Sequence, residues 1–256
     1  MKKVYLIIFI FAQVFGFGQK CLEIDFVQEA GGPDFPARSL FNYASDFNTS
    51  YYEIDRLMNA TDTLVTNDVE TRLNRSISPT NTNTIMPISE KSLLYKDFGK
   101  DSIQSFESVV GEKKFVILEE RIPAIKWEIS SEKDSILDFE VQKATTHFFG
   151  RDYVAWFAPD IPLSDGPRRM HGLPGMILKA ESLDGFVQYY PVSIRLENKE
   201  CYIYSPLTVY PERRRITIDE QGKMIQEYVQ KQEKYQNSKN PGNSRSTVFI
   251  DGIERR

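Results

Sequence analysis

From residue 92 onward, apolar and polar residues alternate in short runs separated by turn residues. Leu93 to Phe98, Lys114 to Leu118, Ala124 to Ile129, Phe139 to Phe149, Tyr153 to Phe157, Gly175 to Ala180, Phe186 to Leu196 and Tyr202 to Tyr210 each read as a strand. The reason is geometric: successive side chains of a strand point to opposite faces, so one buried face gives a period of two. In Ala124 to Ile129 the pattern sets Ile125, Trp127 and Ile129 on one face. Gly99-Lys100-Asp101 and Gly150-Arg151-Asp152 supply turns between runs. Strands at this spacing predict a mainly β fold, an antiparallel meander forming an open barrel or a sandwich.

The ends of the chain carry their own patterns. Cys21 to Phe26 alternates and predicts an early strand. From about Gly31 to Pro87 the alternation dissolves, and Ser76 to Thr84 reads as loop. Near the end the period changes. Ile218 to Gln236 predicts one C-terminal helix, with Met224, Ile225 and Tyr228 on its apolar side. Asn240-Pro241-Gly242-Asn243 breaks it, and Val248 to Ile250 reads as a last edge strand.

Met1-Lys2-Lys3 followed by the apolar run Val4 to Phe15 has the make-up of a cleavable signal peptide. The run is shorter than the roughly 20 residues a membrane-spanning helix needs. Gly16 and Gly18 place cleavage after Gly18, with Gln19 as the alternative. Lys20 precedes Cys21 where lipid attachment would require a small residue, so Cys21 reads as an ordinary cysteine. The expected organisation is residues 1–18 signal peptide, 19–91 an N-terminal strand with an irregular insertion, 92–216 the β domain, and 217–256 the helix and a tail. The expected address is the periplasm or the outer-membrane region, with no transmembrane span in the mature chain.

Composition narrows the classes. A hydrophobic content of 41% suffices for a core, and 12% aromatic residues, mostly Tyr and Phe, favours strands. The net charge of −4 becomes −6 once Lys2 and Lys3 leave with the signal. A mildly acidic surface argues against nucleic acid as a partner. Two cysteines, Cys21 and Cys201, leave two readings open: a disulfide in an oxidising compartment, or two free thiols.

One segment carries a family resemblance. It runs through Lys143-Ala144, then Gly150-Arg151-Asp152-Tyr153-Val154-Ala155-Trp156-Phe157-Ala158-Pro159-Asp160-Ile161-Pro162, then Asp165-Gly166-Pro167, to Gly172-Leu173-Pro174-Gly175-Met176-Ile177-Leu178. This resembles the GLPGLI family of Gram-negative envelope proteins, most clearly between Leu94 and Leu196. Arg168-Arg169-Met170-His171, Met176 and Val141 depart from the family pattern. The resemblance implies an exported, β-rich protein and brings no catalytic residues with it. Physically, Pro174-Gly175 suits a type II turn with Gly at positive φ, and Gly172 allows a close approach or a turn. Pro162, Pro167 and Pro174 shape a long loop that either docks a partner or closes one end of the fold.

Chemistry is sparse. Ser164, His171 and a nearby aspartate could be imagined as a triad, but no nucleophile elbow surrounds Ser164. His147 and His171 lack the close ligand pairing of a zinc site, and Asp160 and Asp165 lack a calcium-loop spacing. No catalytic, metal or cofactor residue is therefore assigned. Arg168-Arg169 and Arg213-Arg214-Arg215 read as solvated charge or as contacts for an acidic partner. Glu119-Glu120 reads as a solvated strand end, and Trp127 and Trp156 as core or cavity lining.

These observations predict an exported envelope protein without catalysis, an accessory to an outer-membrane transport or assembly system. Its expected partner is an outer-membrane or periplasmic protein. Docking is expected through Ile161, Pro162, Arg168, Arg169, His171, Gly172, Leu173, Pro174 and Gly175. The alternatives are a periplasmic carrier of an apolar ligand such as a lipid and, last, a hydrolase.

Overall fold

A computed structural model describes residues 20–31, 37–58, 92–109, 112 and 114–239. Residues 1–18, expected as a signal peptide, and the segments Ser76 to Thr84 and Val248 to Ile250 lie outside them. The described chain forms twelve strands and two helices. In order these are β1 (Cys21–Ala30), β2 (Ala37–Ser45), β3 (Thr49–Met58), β4 (Leu93–Asp97), β5 (Ser102–Glu107) and β6 (Val116–Arg121). They continue as β7 (Glu128–Ile136), β8 (Phe139–Phe148), β9 (Arg151–Ala158), β10 (Met176–Ser182), β11 (Val187–Glu197), α1 (Pro206–Val209), β12 (Arg215–Thr217) and α2 (Ile218–Lys239).

All twelve strands join one sheet in the order β12-β6-β5-β4-β3-β2-β1-β11-β10-β9-β8-β7. Pairing is antiparallel except where β12 lies parallel to β6. The mainly β, meandering and open architecture expected from the alternation is the one observed, with β12 and β7 as free edges among the described residues. β7 exposes Glu132, Lys133 and Asp134 along its length, and such charges oppose edge-to-edge association.

The sheet must be strongly coiled, and chain length shows why. β6 and β7 stand ten strand steps apart in the order. In a flat sheet that is roughly 48 Å at about 4.8 Å per strand. Yet residues 122–127 alone connect them, and a stretch of that size reaches only roughly 24 Å. The two wings therefore curl to face each other. Residues 122–127 cross the gap between them, which is why the alternating run from Ala124 forms no ladder before Glu128. It is held by side-chain contacts instead: Thr146 Oγ1 donates to the Lys126 carbonyl at 2.7 Å and Trp127 Nε1 to the His171 carbonyl at 2.7 Å.

Two further differences have local causes. Residues 37–58, where no element was legible, form β2 and β3. Their period is broken by a register shift between Leu40 and Phe41 and by Ser45 and Ser50, polar residues that are buried. Tyr202 to Tyr210, expected as a strand, is irregular and then helical in α1. Ser205 caps this helix, its side chain accepting from Thr208 N, and Pro206 stands at its first turn. That is the ordinary start signal of a helix.

The core follows from the coil. Leu22, Ile24 and Phe26 of β1, Tyr43 of β2, Tyr52 of β3 and Ile103 of β5 share a cluster with Val141 of β8 and Met176 and Leu178 of β10. Phe41 stacks on Tyr52 with centroids 4.5 Å apart. Leu207 and Tyr210 of the α1 region pack with Leu93, Phe106 and Ile117, Tyr210 stacking on Phe106. On α2, Ile225 is buried and Met224 packs with Ile216 and Leu118; Tyr228 is exposed. Cys21 and Cys201 form a disulfide. It ties the first residue of β1 to the segment before α1, closing a loop of 180 residues.

Candidate functional site: a buried loop and the cleft beside it

The proline-shaped loop between β9 and β10 lies inside the curl. Ile161, Leu163, Asp165, Met170, His171 and Leu173 are all buried, Leu173 to 1% exposure. Main-chain bonds hold it to its own strands: Met176 N donates to Ile161 O at 3.0 Å and Ile177 N to Asp165 O at 2.8 Å. Asp165 and His171 bridge across the loop, and a turn at Pro167 to Met170 puts Arg168 at φ 54°.

This placement corrects the docking expectation. Of the nine residues assigned to a partner surface, Ile161, His171, Leu173 and Gly175 are buried, and Arg168 and Arg169 are half-buried. Only Pro162, Gly172 and Pro174 are exposed. Arg169 finds its acidic partners within the chain: Nε donates to Glu120 at 2.6 Å and a terminal nitrogen lies 3.5 Å from Glu107. Burial opposes its charge, but Glu120 and Glu107 outweigh this and hold its pKa above the ordinary value. Glu120, expected as a solvated strand end, is thus covered by Arg169. The run Arg213 to Arg215 is also used internally, Arg214 pairing with Glu112 and Glu220.

Of the two motif glycines, Gly172 takes one of its two expected roles and Gly175 departs from the positive φ expected of it. Gly172 adopts φ +95° and makes the turn. Gly175 has no positive φ. It is needed for closeness, since a Cβ there would lie 2.3 Å from the Ala158 carbonyl oxygen.

At the centre of the loop sits a buried charge pair. Lys96 Nζ of β4 bonds the Asp165 carboxylate and also donates to Gly166 O at 3.0 Å and Met170 O at 3.1 Å. Three acceptors match the three protons of an ammonium group. The Asp165 carboxylate further accepts from Tyr43 Oη of β2 at 2.8 Å and Ser50 Oγ of β3 at 2.6 Å. Burial pulls the Lys96 pKa down while Asp165 opposes the shift. Burial and the Asp165 charge push Tyr43 well above its ordinary value, so its phenol stays a donor. One aspartate thereby fastens the loop to three strands of the opposite wing.

Beside this lock opens a cleft of about 360 Å³. Phe47, Phe98, Ile122, Pro162 and Leu163 make its apolar walls, with Ser164, His171 and Gly172 completing the lining. Phe47 stands in the β2–β3 turn at φ 70°, a conformation a bulky side chain seldom adopts and one that clusters at functional sites. His171 is 6% exposed, and neither ring nitrogen has a hydrogen-bond partner. The imagined triad is not assembled: Ser164 is exposed in the same lining, but no hydrogen bond joins it to His171, and no carboxylate orients the ring. His147, 24 residues away, is exposed and pairs with Asp152 at 2.8 Å. Among the described residues no cluster of three or more His, Cys, Asp or Glu is placed to hold a metal ion, and no helix is long and apolar enough to cross a membrane. Lys96, Phe47 and the cleft went unread in the sequence. Their neighbours are tens of residues away, and only the sign of Phe47, an aromatic in an Asp-Phe-Asn turn, was visible.

Burial, followed by the Lys96 charge, pulls the His171 pKa from 6.5 to about 4, with Asp165 and Asp101 acting in the opposite direction. The folded protein therefore holds this ring neutral while the unfolded chain protonates it near 6.5. Stability is fully present above that pH and falls as pH drops towards 4, by on the order of 3 kcal/mol. Urea midpoints between pH 7.5 and 4 should show this decline, and His171→Phe should flatten it. Equal slopes in the two proteins would contradict the neutral buried ring.

Against known proteins, a family model described as a protein of unknown function, Porph_ging, matches residues 150–179. That stretch is β9, the buried loop and the start of β10. No curated protein matches. Among solved structures the chain is similar to PNGF-II crystallised in space group C2, at 12% identity and a TM-score of 0.50, covering 80% of this chain and 32% of that one. This chain thus spans about a third of the length of that structure, and at this identity the likeness concerns fold alone. An uncharacterized conserved protein from Thermus thermophilus matches at 7% identity and a TM-score of 0.37, over 78% of this chain and 91% of that one. The LolA superfamily protein NE2245 from Nitrosomonas europaea matches at 8% identity and 0.29, over 73% and 89%.

Proposed function

We propose that this chain is an exported, non-catalytic binding protein of the cell envelope that carries an apolar ligand in the cleft beside its buried loop. The carrying observation is the cleft itself: aromatic and aliphatic walls from four separate segments around one buried polar ring. Its volume lies at the lower end of the range for small-molecule sites, which are mostly apolar with a few placed polar groups. The leader at residues 1–18 and the Cys21–Cys201 disulfide support an oxidising, extracytoplasmic address. A carrier of this kind exchanges its ligand with an outer-membrane or periplasmic protein. Because the loop is buried, that exchange uses the cleft mouth at Pro162 and Gly172 rather than Leu173.

Titration with the fluorescent apolar probe N-phenyl-1-naphthylamine tests the reading. Wild-type protein should bind it, and Ile122→Lys, which sets a charge in a half-buried wall, should weaken binding about tenfold or more. The urea midpoint should stay close to that of the wild type. Failure of the folded wild-type protein to bind would sink the proposal.

A further inference from the structure

The buried polar chemistry of the cleft reduces to one side chain. His171, only 6% exposed, lies beneath it with both ring nitrogens unpartnered. A buried polar group left without a partner is costly, and folded proteins keep few of them. The neighbouring loop polar groups are not in this state. Lys96 has three acceptors, Asp165 three donors, and Arg169 is paired with Glu120 and Glu107. The His171 carbonyl is also occupied, accepting from Trp127 Nε1. Among the buried polar side chains of the loop only the ring is unspent, and it lines the cleft together with the exposed Ser164.

From this geometry we infer that the ligand is a single-chain amphiphile whose uncharged polar end, a hydroxyl above all, hydrogen-bonds to the His171 ring while its chain lies against Phe47, Phe98, Ile122 and Leu163. This rests on the cleft-binding reading above. No hydrogen bond holds the imidazole in one setting, so a turn about its Cβ–Cγ bond carries a nitrogen to the cleft without breaking anything. A neutral imidazole offers one donor and one acceptor nitrogen, and a hydroxyl satisfies either. Burial holds the ring neutral at ordinary pH, so it presents no cation to attract a free anion. The cleft volume of about 360 Å³ suits one chain. The backbone at Phe47 supports the same assignment, since its unfavourable φ 70° sets an aromatic ring in the wall where Asn or Gly would serve the turn better.

Displacement of N-phenyl-1-naphthylamine by octan-1-ol and by 1-chlorooctane tests the inference. The chloride is the more apolar of the two, so a cleft with no polar anchor ranks it first. With the anchor the order inverts, and octan-1-ol should displace the probe about tenfold more effectively. In His171→Phe the chloride should become the better competitor. As a check independent of that variant's folding, the His171 ring ¹⁵N resonances of the wild-type protein should move on adding octan-1-ol and not on adding 1-chlorooctane. A chloride-first order in wild-type protein, with unmoved ring resonances, overturns the hydroxyl anchor and leaves the apolar cleft standing. Failure of the probe itself to bind overturns the cleft reading instead.

Discussion

Asp165→Ala should cost about 3–5 kcal/mol of folding stability, because it strands the buried Lys96 ammonium without its counter-charge. Lys96 is 1% exposed and Asp165 0%, so water cannot take over the lost contact. Tyr43 and Ser50 lose their acceptor in the same step, and each buried hydroxyl left unpaired adds to the loss. The loss is not a measure of how much the pair stabilises the fold, since removing both charges together is far less harmful than removing one. Lys96→Met combined with Asp165→Asn should therefore recover much of the deficit, the amide oxygen still accepting from Tyr43 and Ser50. A double-mutant cycle of Lys96→Met, Asp165→Asn and the two together, by urea denaturation followed through the emission of Trp127 and Trp156, measures this coupling. Simple additivity of the two single losses would show that Lys96 and Asp165 do not depend on each other.

Gly175→Ala should lose about 3 kcal/mol, the upper part of the range for overpacking. Its Cβ would meet the Ala158 carbonyl oxygen at 2.3 Å, the Ala158 carbonyl carbon at 2.7 Å and Pro159 Cα at 2.9 Å. All three are backbone atoms, so no side chain can swing away to make room. Relief requires separating the β9 end from the β10 start, which is where the loop is pinned by the Met176 to Ile161 bond. Gly222 is the internal control. It lies in α2 with nothing within 4 Å of an added Cβ, so Gly222→Ala should gain up to about 1 kcal/mol from helix propensity alone. Thermal midpoints of the two variants should move in opposite directions. A neutral Gly175→Ala would mean that the two strands are not held at this distance in solution.

The resemblance motif was legible as a pattern, yet its physical content was read in part. Pro174-Gly175 looked like a turn with positive φ at the glycine, because that is the common use of the dipeptide. The turn is at Gly172, and the demand on Gly175 comes from Ala158, seventeen positions earlier, which no local rule reveals. Arg169 read as free charge because its partners, Glu107 and Glu120, are 62 and 49 residues away. Residues 37–58 gave no strand signal for a related reason. Ser50 is inside because Asp165 is there to meet it, and a polar residue in an inward position erases the period on which the reading depends. By contrast the start signal of α1, Ser205-Pro206, is local covalent chemistry, and it prevails over the strand-like alternation of Tyr202 to Tyr210.

What the chain determined on its own was local: where alternation makes β1, β4, β6 and β8 to β11, where the period shifts to the helix α2, and that the class is mainly β. These follow from side-chain direction and backbone preference within a few residues. The tertiary structure alone decided that the sheet coils until residues 122–127 can bridge its wings. That coil puts the loop inside rather than on the surface, closes Cys21 on Cys201, and gathers Phe47, Phe98, Ile122 and His171 around one cleft. The reason is that these contacts join groups tens of residues or more apart, and their free energy depends on burial and charge pairing that exist only after the wings have met.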